Sequence, residues 1–246
     1  MTGNPTLSEH TFTDLRESGS PGTTMTVQGT VNKTAVLLFL ALVTGSYTWG
    51  LVFKGSTAAA MPWAIGGAIV GFIFAVITCF KKEWSPVTAP VYAICEGVFL
   101  GGISAVLELK YPGLVIQAVM LTFGTLAALL FIYKVGLIRA SDNFKRGVFA
   151  ATGGIALLYL TTMILGLFGI HIPSIYGNGA IGIGFSLFVV VIAAMNLVID
   201  FDFIEKGAEC NAPKYMEWYA SFGLMVTLVW LYIEILRLLA KLRSRD

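Results

Sequence analysis

The 246-residue chain is 57% hydrophobic before its 27 glycines are counted, only 12% charged, and has a mean hydropathy of +0.81. A soluble domain carries about 25% charged residues and cannot cover so much apolar surface, so a soluble fold and a disordered chain are both excluded. The net charge of +2 is too small to draw a nucleic-acid partner.

Residues 1–34 are polar and rich in Thr, Ser, Gly and Pro, with no apolar stretch of the kind a signal peptide needs. Glu9, Asp14 and Glu17 also speak against an acid-poor transit peptide. This segment reads as a mobile cytoplasmic tail ahead of a membrane domain over residues 35–246.

Seven apolar runs follow: Ala35–Phe53, Ala58–Phe80, Val87–Leu107, Leu114–Tyr133, Gly147–Ile170, Gly179–Ile199 and Trp218–Leu239. Each has 19 to 24 residues, enough to cross a hydrocarbon layer of about 30 Å as a helix. Their only charged residues are Glu96, Glu234 and Arg237. No run alternates apolar with polar, which excludes an outer-membrane barrel. The pattern predicts an all-α bundle of seven transmembrane helices in contact with the lipid bilayer.

Several motifs take a structural reading. Gly67-x-x-x-Gly71 and Gly97-x-x-x-Gly101 are faces on which helices approach closely. Gly177-x-Gly179-x-x-Gly182 copies a dinucleotide fingerprint but follows no strand, so it too reads as helix packing. Pro62 and Pro90 lie near helix starts, where proline is tolerated. Cys79, Cys95 and Cys210 are odd in number and far apart, without a Cys-x-x-Cys pair. The two histidines, His10 and His171, form no His-Glu-x-x-His pattern and reach no buried serine. No enzyme activity, cofactor or metal centre is expected.

The acids in and beside the membrane carry the functional reading, because a carboxylate at that depth is costly unless protonated, paired or facing water. Glu96 lies about 14 Å into the third run, near the midplane, with no base three or four residues away. Asp200 ends the sixth run with no base at i±3 or i±4, and Asn196 one turn earlier shares its face. Those two form an inward polar column. Asp202 points about 200° away from Asp200 and has Lys206 at i+4, which reads as a solvated turn with an ion pair. Glu234 lies about 24 Å along the seventh run, with Arg237 three residues on as an intrahelical partner.

The layout of seven short spans, a sixth helix ending in Asp200 with bases beyond it, and a seventh reading Leu231-Tyr232-Ile233-Glu234-Ile235-Leu236-Arg237-Leu238-Leu239 resembles the Bax inhibitor family, in its bacterial YccA-like branch, over residues 35 to 243. The resemblance implies an inner (plasma) membrane protein that leaks calcium or other cations, with helices around a central seventh and an aspartate pair on helices six and seven sensing pH. It also implies roles in restraining cell death and in modulating membrane proteolysis, the latter calling for a membrane partner such as a protease. Ile204 aligns Asp200 with the family's sixth-helix aspartate, with Asp202 as the alternative register. On the seventh helix, the Leu-Tyr match puts the acid at Glu234, whereas anchoring on Arg237 puts Thr227 in its place.

Straight helices hold Asp200 and Glu234 too far apart in depth to meet, so Glu217, at the start of the seventh run, is the acid that height allows beside Asp200. By depth the acids form a ladder, with Glu234 outermost, Glu96 central and Asp200 innermost, suited to cation or proton passage. A non-conducting regulator that binds a membrane partner through its Gly faces is the alternative. A carrier is less apt, since no pair of inverted repeats with interrupted helices stands out.

Ten Lys and Arg residues of the tail and of loops 2–3, 4–5 and 6–7, Lys145 among them, face only Lys54 and Lys110 on the other side, so the amino terminus is expected in the cytoplasm. Seven crossings then put the basic carboxyl terminus outside. A reporter fused at Asp246 should register as external, and cytoplasmic activity there would overturn the complete seventh crossing.

Overall fold

The structure, a computed structural model, describes residues 24–55, 57–169 and 177–245. Most of the expected tail, up to residue 23, lies outside the described residues, as do His10 and His171. Among the described residues seven helices are long and apolar enough to cross a membrane. They are α1 (Val27–Phe53), α2 (Thr57–Phe80), α3 (Ser85–Lys110, entered through a 3₁₀ turn at Lys82–Trp84), α4 (Leu114–Lys134), α5 (Asp142–Leu167), α6 (Ala180–Glu209) and α7 (Met216–Arg243). No strand forms among these residues, and Thr24 and Pro213 make an isolated antiparallel bridge. The expected all-α architecture is therefore present.

The helices outrun the apolar segments because polar side chains cap them. α1 starts at Val27, ahead of the apolar run, where the Thr26 hydroxyl accepts the Gly29 N–H at 3.0 Å. α5 starts at Asp142 under Ser141, whose hydroxyl accepts the Phe144 N–H at 3.3 Å, so Lys145 and Arg146 belong to a helix rather than to a loop. Glu108, near the end of α3, accepts the N–H groups of Gly113 and Val115 at 2.6 and 3.0 Å and so caps α4. Gly113 turns that corner with φ at +82°, a conformation strained for any residue with a Cβ. α6 continues past Ile199 to Glu209, which places Asp200, Asp202 and Glu205 within the helix.

The chain forms two compact units. The first joins residues 24–115 with Phe203–Val226, and the second joins Ile116–Asp202 with residues 227–245. In the first unit α3 packs tightly on both α1 and α2. A methyl group at Gly97 would overlap the Thr44 hydroxyl and the Ala41 carbonyl, and one at Gly101 would overlap Gly45 and Thr48. Thr44 and Thr48 use this closeness to donate to the carbonyls of Ile94 and Val98, each at 3.0 Å. On the other flank, Gly67 and Gly71 sit against Cys95 and its neighbours, and Thr78 bonds Thr88 at 2.7 Å. The two Gly-x-x-x-Gly faces thus act as expected: with apolar lipid as the alternative surroundings, close packing and interhelical hydrogen bonds hold helices together.

In the second unit, Ile155 of α5 packs with Val189 and Ile192 of α6, and Tyr159, Phe185 and Trp230 close around them. α7 and α6 are the most enclosed helices, 61% and 44% buried over their apolar windows, against 11% for α4 and α5. The outer surfaces of the others, with Phe39, Phe72, Phe131 and Leu157 exposed, are the apolar faces a bilayer requires.

The α1–α3 contact predicts a measurable asymmetry between two glycines. Gly97→Ala should lower stability in detergent by about 2 kcal/mol through overpacking. Gly124→Ala on α4, where a methyl group meets nothing within 4 Å, should be neutral or slightly stabilising. Thermal unfolding of both variants checks this.

Candidate functional site

Three polar residues of α5, Lys145, Thr152 and Tyr159, recur at seven-residue intervals, and so do Thr227, Glu234 and Lys241 of α7. Seven residues make nearly two full turns and rise about 10.5 Å, so each triplet forms a stripe along one side of its helix. α6 meets these stripes with Asp202, Asp200, Asn196 and Gly182. Together they build a polar axis inside the second unit.

At the end where α5 begins, the Lys145 ammonium, 2% exposed, pairs with Asp202 at 2.8 Å. Farther along, the Asn196 amide donates to the Thr152 hydroxyl and to the Ile192 carbonyl, both at 2.9 Å. Asp200 is 1% exposed, and neither carboxyl oxygen has a partner in hydrogen-bond geometry among the described residues. The side chain set to interact with it is that of Thr227 on α7. Toward the other end, the Tyr159 hydroxyl donates to Glu234 at 3.0 Å and accepts from Arg237 at 2.6 Å. Arg237 also bonds both Glu234 oxygens, at 2.9 and 3.1 Å, with its guanidinium over the Tyr159 ring. Last, the Lys241 ammonium donates to the Gly182 carbonyl at 3.0 Å.

The first unit holds the two remaining acids. Glu96 of α3 is buried against Gly71 of α2 and forms no hydrogen bond or ion pair among the described residues. Glu217, at the start of α7, has a fully buried side chain and is surrounded by donors. Lys33 pairs with one oxygen, while Lys214 at 2.8 Å and the amide and hydroxyl of Thr26 at 2.9 and 2.8 Å share the other. Its carboxylate fills the space that a side chain at Gly29 would need.

Two sequence readings change here. Asp202 is not at a solvated turn: it is largely buried, and its partner at 2.8 Å is Lys145 of α5. The 200° separation of Asp200 and Asp202 remains, but α6 is enclosed on more than one side, so both directions lead into protein. Glu217 is not a spare acid held for Asp200, since two lysines and Thr26 take up its charge. The Glu234–Arg237 pair forms as expected, because a three-residue interval on a helix settles it locally. Thr227, the position that anchoring on Arg237 selects, interacts with Asp200. Asp200 and Glu234 belong to the polar axis, and Glu96 belongs to the other unit. The roles of Lys145, Thr152, Tyr159 and Lys241 were missed. Their signal was the seven-residue recurrence of polar groups in otherwise apolar spans. Among the described residues, no three or more His, Cys, Asp or Glu side chains come together as a metal site.

A bundle of long apolar helices whose charged and polar side chains are gathered inside defines a polytopic α-helical membrane protein. Residues 4–244 match the family model described as Bax inhibitor 1 like, and the chain belongs to the Bax inhibitor family. Comparisons with curated proteins and with solved structures return no match.

The Lys145–Asp202 pair predicts that Asp202→Asn destabilises the protein by about 3 kcal/mol, because it leaves a buried ammonium without its counter-charge. Replacing both residues, Lys145→Met with Asp202→Leu, should restore most of that loss. Unfolding in detergent of the single and double variants measures the difference.

Proposed function

We propose that the protein is a pH-sensitive leak for calcium or other cations in the inner (plasma) membrane, with Asp200 as the group through which protons act. The observation that carries this reading is the Asp200 carboxyl: it is buried, lacks a hydrogen-bond partner among the described residues and has only the Thr227 hydroxyl set against it. Each other acid of the axis stands beside a cation, Asp202 beside Lys145 and Glu234 beside Arg237. A proton gained or lost at Asp200 therefore alters the charge of the interior with nothing adjacent to offset it, and charge in a low-dielectric interior acts strongly on helix packing. Thr227 is the neutral group that interacts with the carboxyl. The packing of α6 against α7 is the equilibrium such a charge would bias.

Glu96 is a second buried acid without a partner among the described residues, and is the next candidate for proton or cation contact. Glu217 is assigned a structural part at the foot of α7, tying α1 to the α6–α7 turn.

Asp200→Asn should fix one charge state and remove the pH dependence of cation leak, leaving a constant flux. The measurement is calcium and potassium flux against pH in liposomes holding the wild-type or variant protein. An unchanged pH profile in the variant would refute the role of Asp200. No flux at all, together with co-purification of a stoichiometric membrane protein, would favour a non-conducting regulator that binds a partner such as a protease.

A further inference from the structure

The corner between α4 and α5 leaves aliphatic side chains open where the chain turns. α4 ends at Gly136, whose φ is +79°. The Gly136 N–H bonds the Tyr133 carbonyl at 3.0 Å, and the Leu137 N–H bonds the Ile132 carbonyl at 3.1 Å. In a helix end of this kind the residue in Leu137's place commonly folds back onto the last turn of its own helix. Leu137 is instead 74% exposed, and Val135 beside it 58%. Two neighbouring aliphatic side chains left open at a turn are costly in water.

Three bases belong to the same corner. Lys134, the last residue of α4, Arg139 in the turn and Arg146 in the second turn of α5 are all exposed. Among the described residues no ion pair joins any of them. The Arg139 guanidinium reaches back over Gly136, 3.9 Å from where a Cβ would stand, so its charge stays at the turn. Lys145 spends its charge on Asp202, which leaves these three bases against the single acid Asp142. Elsewhere the protein answers its own lysines: Lys33 and Lys214 pair with Glu217, and Lys82 lies over the Tyr219 ring.

The bases also stand at the edge of lipid-facing surface. Phe131, 67% exposed, precedes Lys134 by three residues, and Phe149, 43% exposed, follows Arg146 by three. Each pair shares one side of its helix, with the charge about 4.5 Å along the axis from the ring. A partner for this corner must therefore present negative charge directly beside hydrocarbon. A free phosphate or an acidic peptide presents the charge alone, whereas a phospholipid presents both. A zwitterionic headgroup brings its own cation, so the unanswered positive charge selects an anionic one.

We propose that the α4–α5 corner is a binding surface for anionic phospholipid, in which Lys134, Arg139 and Arg146 hold the headgroups while Val135 and Leu137 enter the acyl region beside them. The proposal does not depend on the leak, and its readouts need no flux.

The purified protein is placed in phosphatidylcholine vesicles with and without phosphatidylglycerol, and its melting temperature is compared with that of the triple variant Lys134→Gln, Arg139→Gln, Arg146→Gln. These side chains are exposed, so the variant should fold as the wild type does. Phosphatidylglycerol should raise the wild-type melting temperature by about 3 °C or more. High salt should shrink the rise, and the triple variant should lose most of it. A control triple at other exposed bases, Lys81→Gln, Arg243→Gln and Arg245→Gln, should keep it. A nitroxide at Leu137→Cys, with Cys79, Cys95 and Cys210 changed to Ser, should be more accessible to oxygen than to an aqueous nickel chelate. The proposal is overturned by a melting temperature indifferent to phosphatidylglycerol, by a corner variant that keeps the full rise, or by a label that favours the aqueous reagent. An equal rise from inorganic phosphate in phosphatidylcholine alone would make the corner a site for a dissolved anion and reject the lipid.

Discussion

Inside a bilayer no water is available to satisfy a charge or a hydrogen-bonding group, so every such group in these helices must find its partner in the protein. That constraint organises the second unit. Lys145 meets Asp202, Asn196 meets Thr152, Glu234 meets both Arg237 and Tyr159, and Lys241 meets a backbone carbonyl. Each contact but the Glu234–Arg237 bond joins different helices, so together they hold α5, α6 and α7 in one rotational setting. A buried pair adds little net stability over a well-packed apolar pair. Breaking one side of it is expensive, and this makes the arrangement specific.

The first unit meets the same constraint by another route. Its crossings rest on Gly97, Gly101, Gly67 and Gly71, where the missing side chains let backbones approach and let Thr44 and Thr48 bond carbonyls of the facing helix. At one end of the unit a charge cluster forms, where Glu217 gathers Lys33, Lys214 and Thr26. That cluster pins the first turn of α1 to the first turn of α7, and the Met25 amide reinforces it by bonding the Ala212 carbonyl at 2.6 Å. Ser221 adds a further tie, donating to the Thr30 carbonyl at 2.9 Å.

Against this background the Asp200 carboxyl and the Ser186 hydroxyl stand out, as buried polar groups that the surrounding protein leaves without hydrogen bonds among the described residues. Unmet groups of this kind are costly to folding, and they are where a proton, an ion or a structural change can act with the greatest effect. The side chain that interacts with Asp200 is that of Thr227, a hydroxyl.

Much of the fold was legible in the amino-acid sequence. Seven runs of sufficient length determine seven helices, because a chain in lipid has no other way to satisfy its backbone. The glycine spacings marked the close faces of α3, and the interval from Glu234 to Arg237 determined their ion pair, since helical geometry alone brings such residues together. The partners of Asp202, Glu217, Asp200 and Lys241 were decided only by the tertiary structure. Lys145 lies 57 residues from Asp202, and Lys33 lies 184 from Glu217. Nothing local determines how helices that are apolar on nearly every side are rotated toward one another. In a soluble protein an amphipathic stripe would reveal the inward face. In lipid both faces are apolar, so the inward side shows only in sparse polar residues seven apart, and their partners become known when the helices pack.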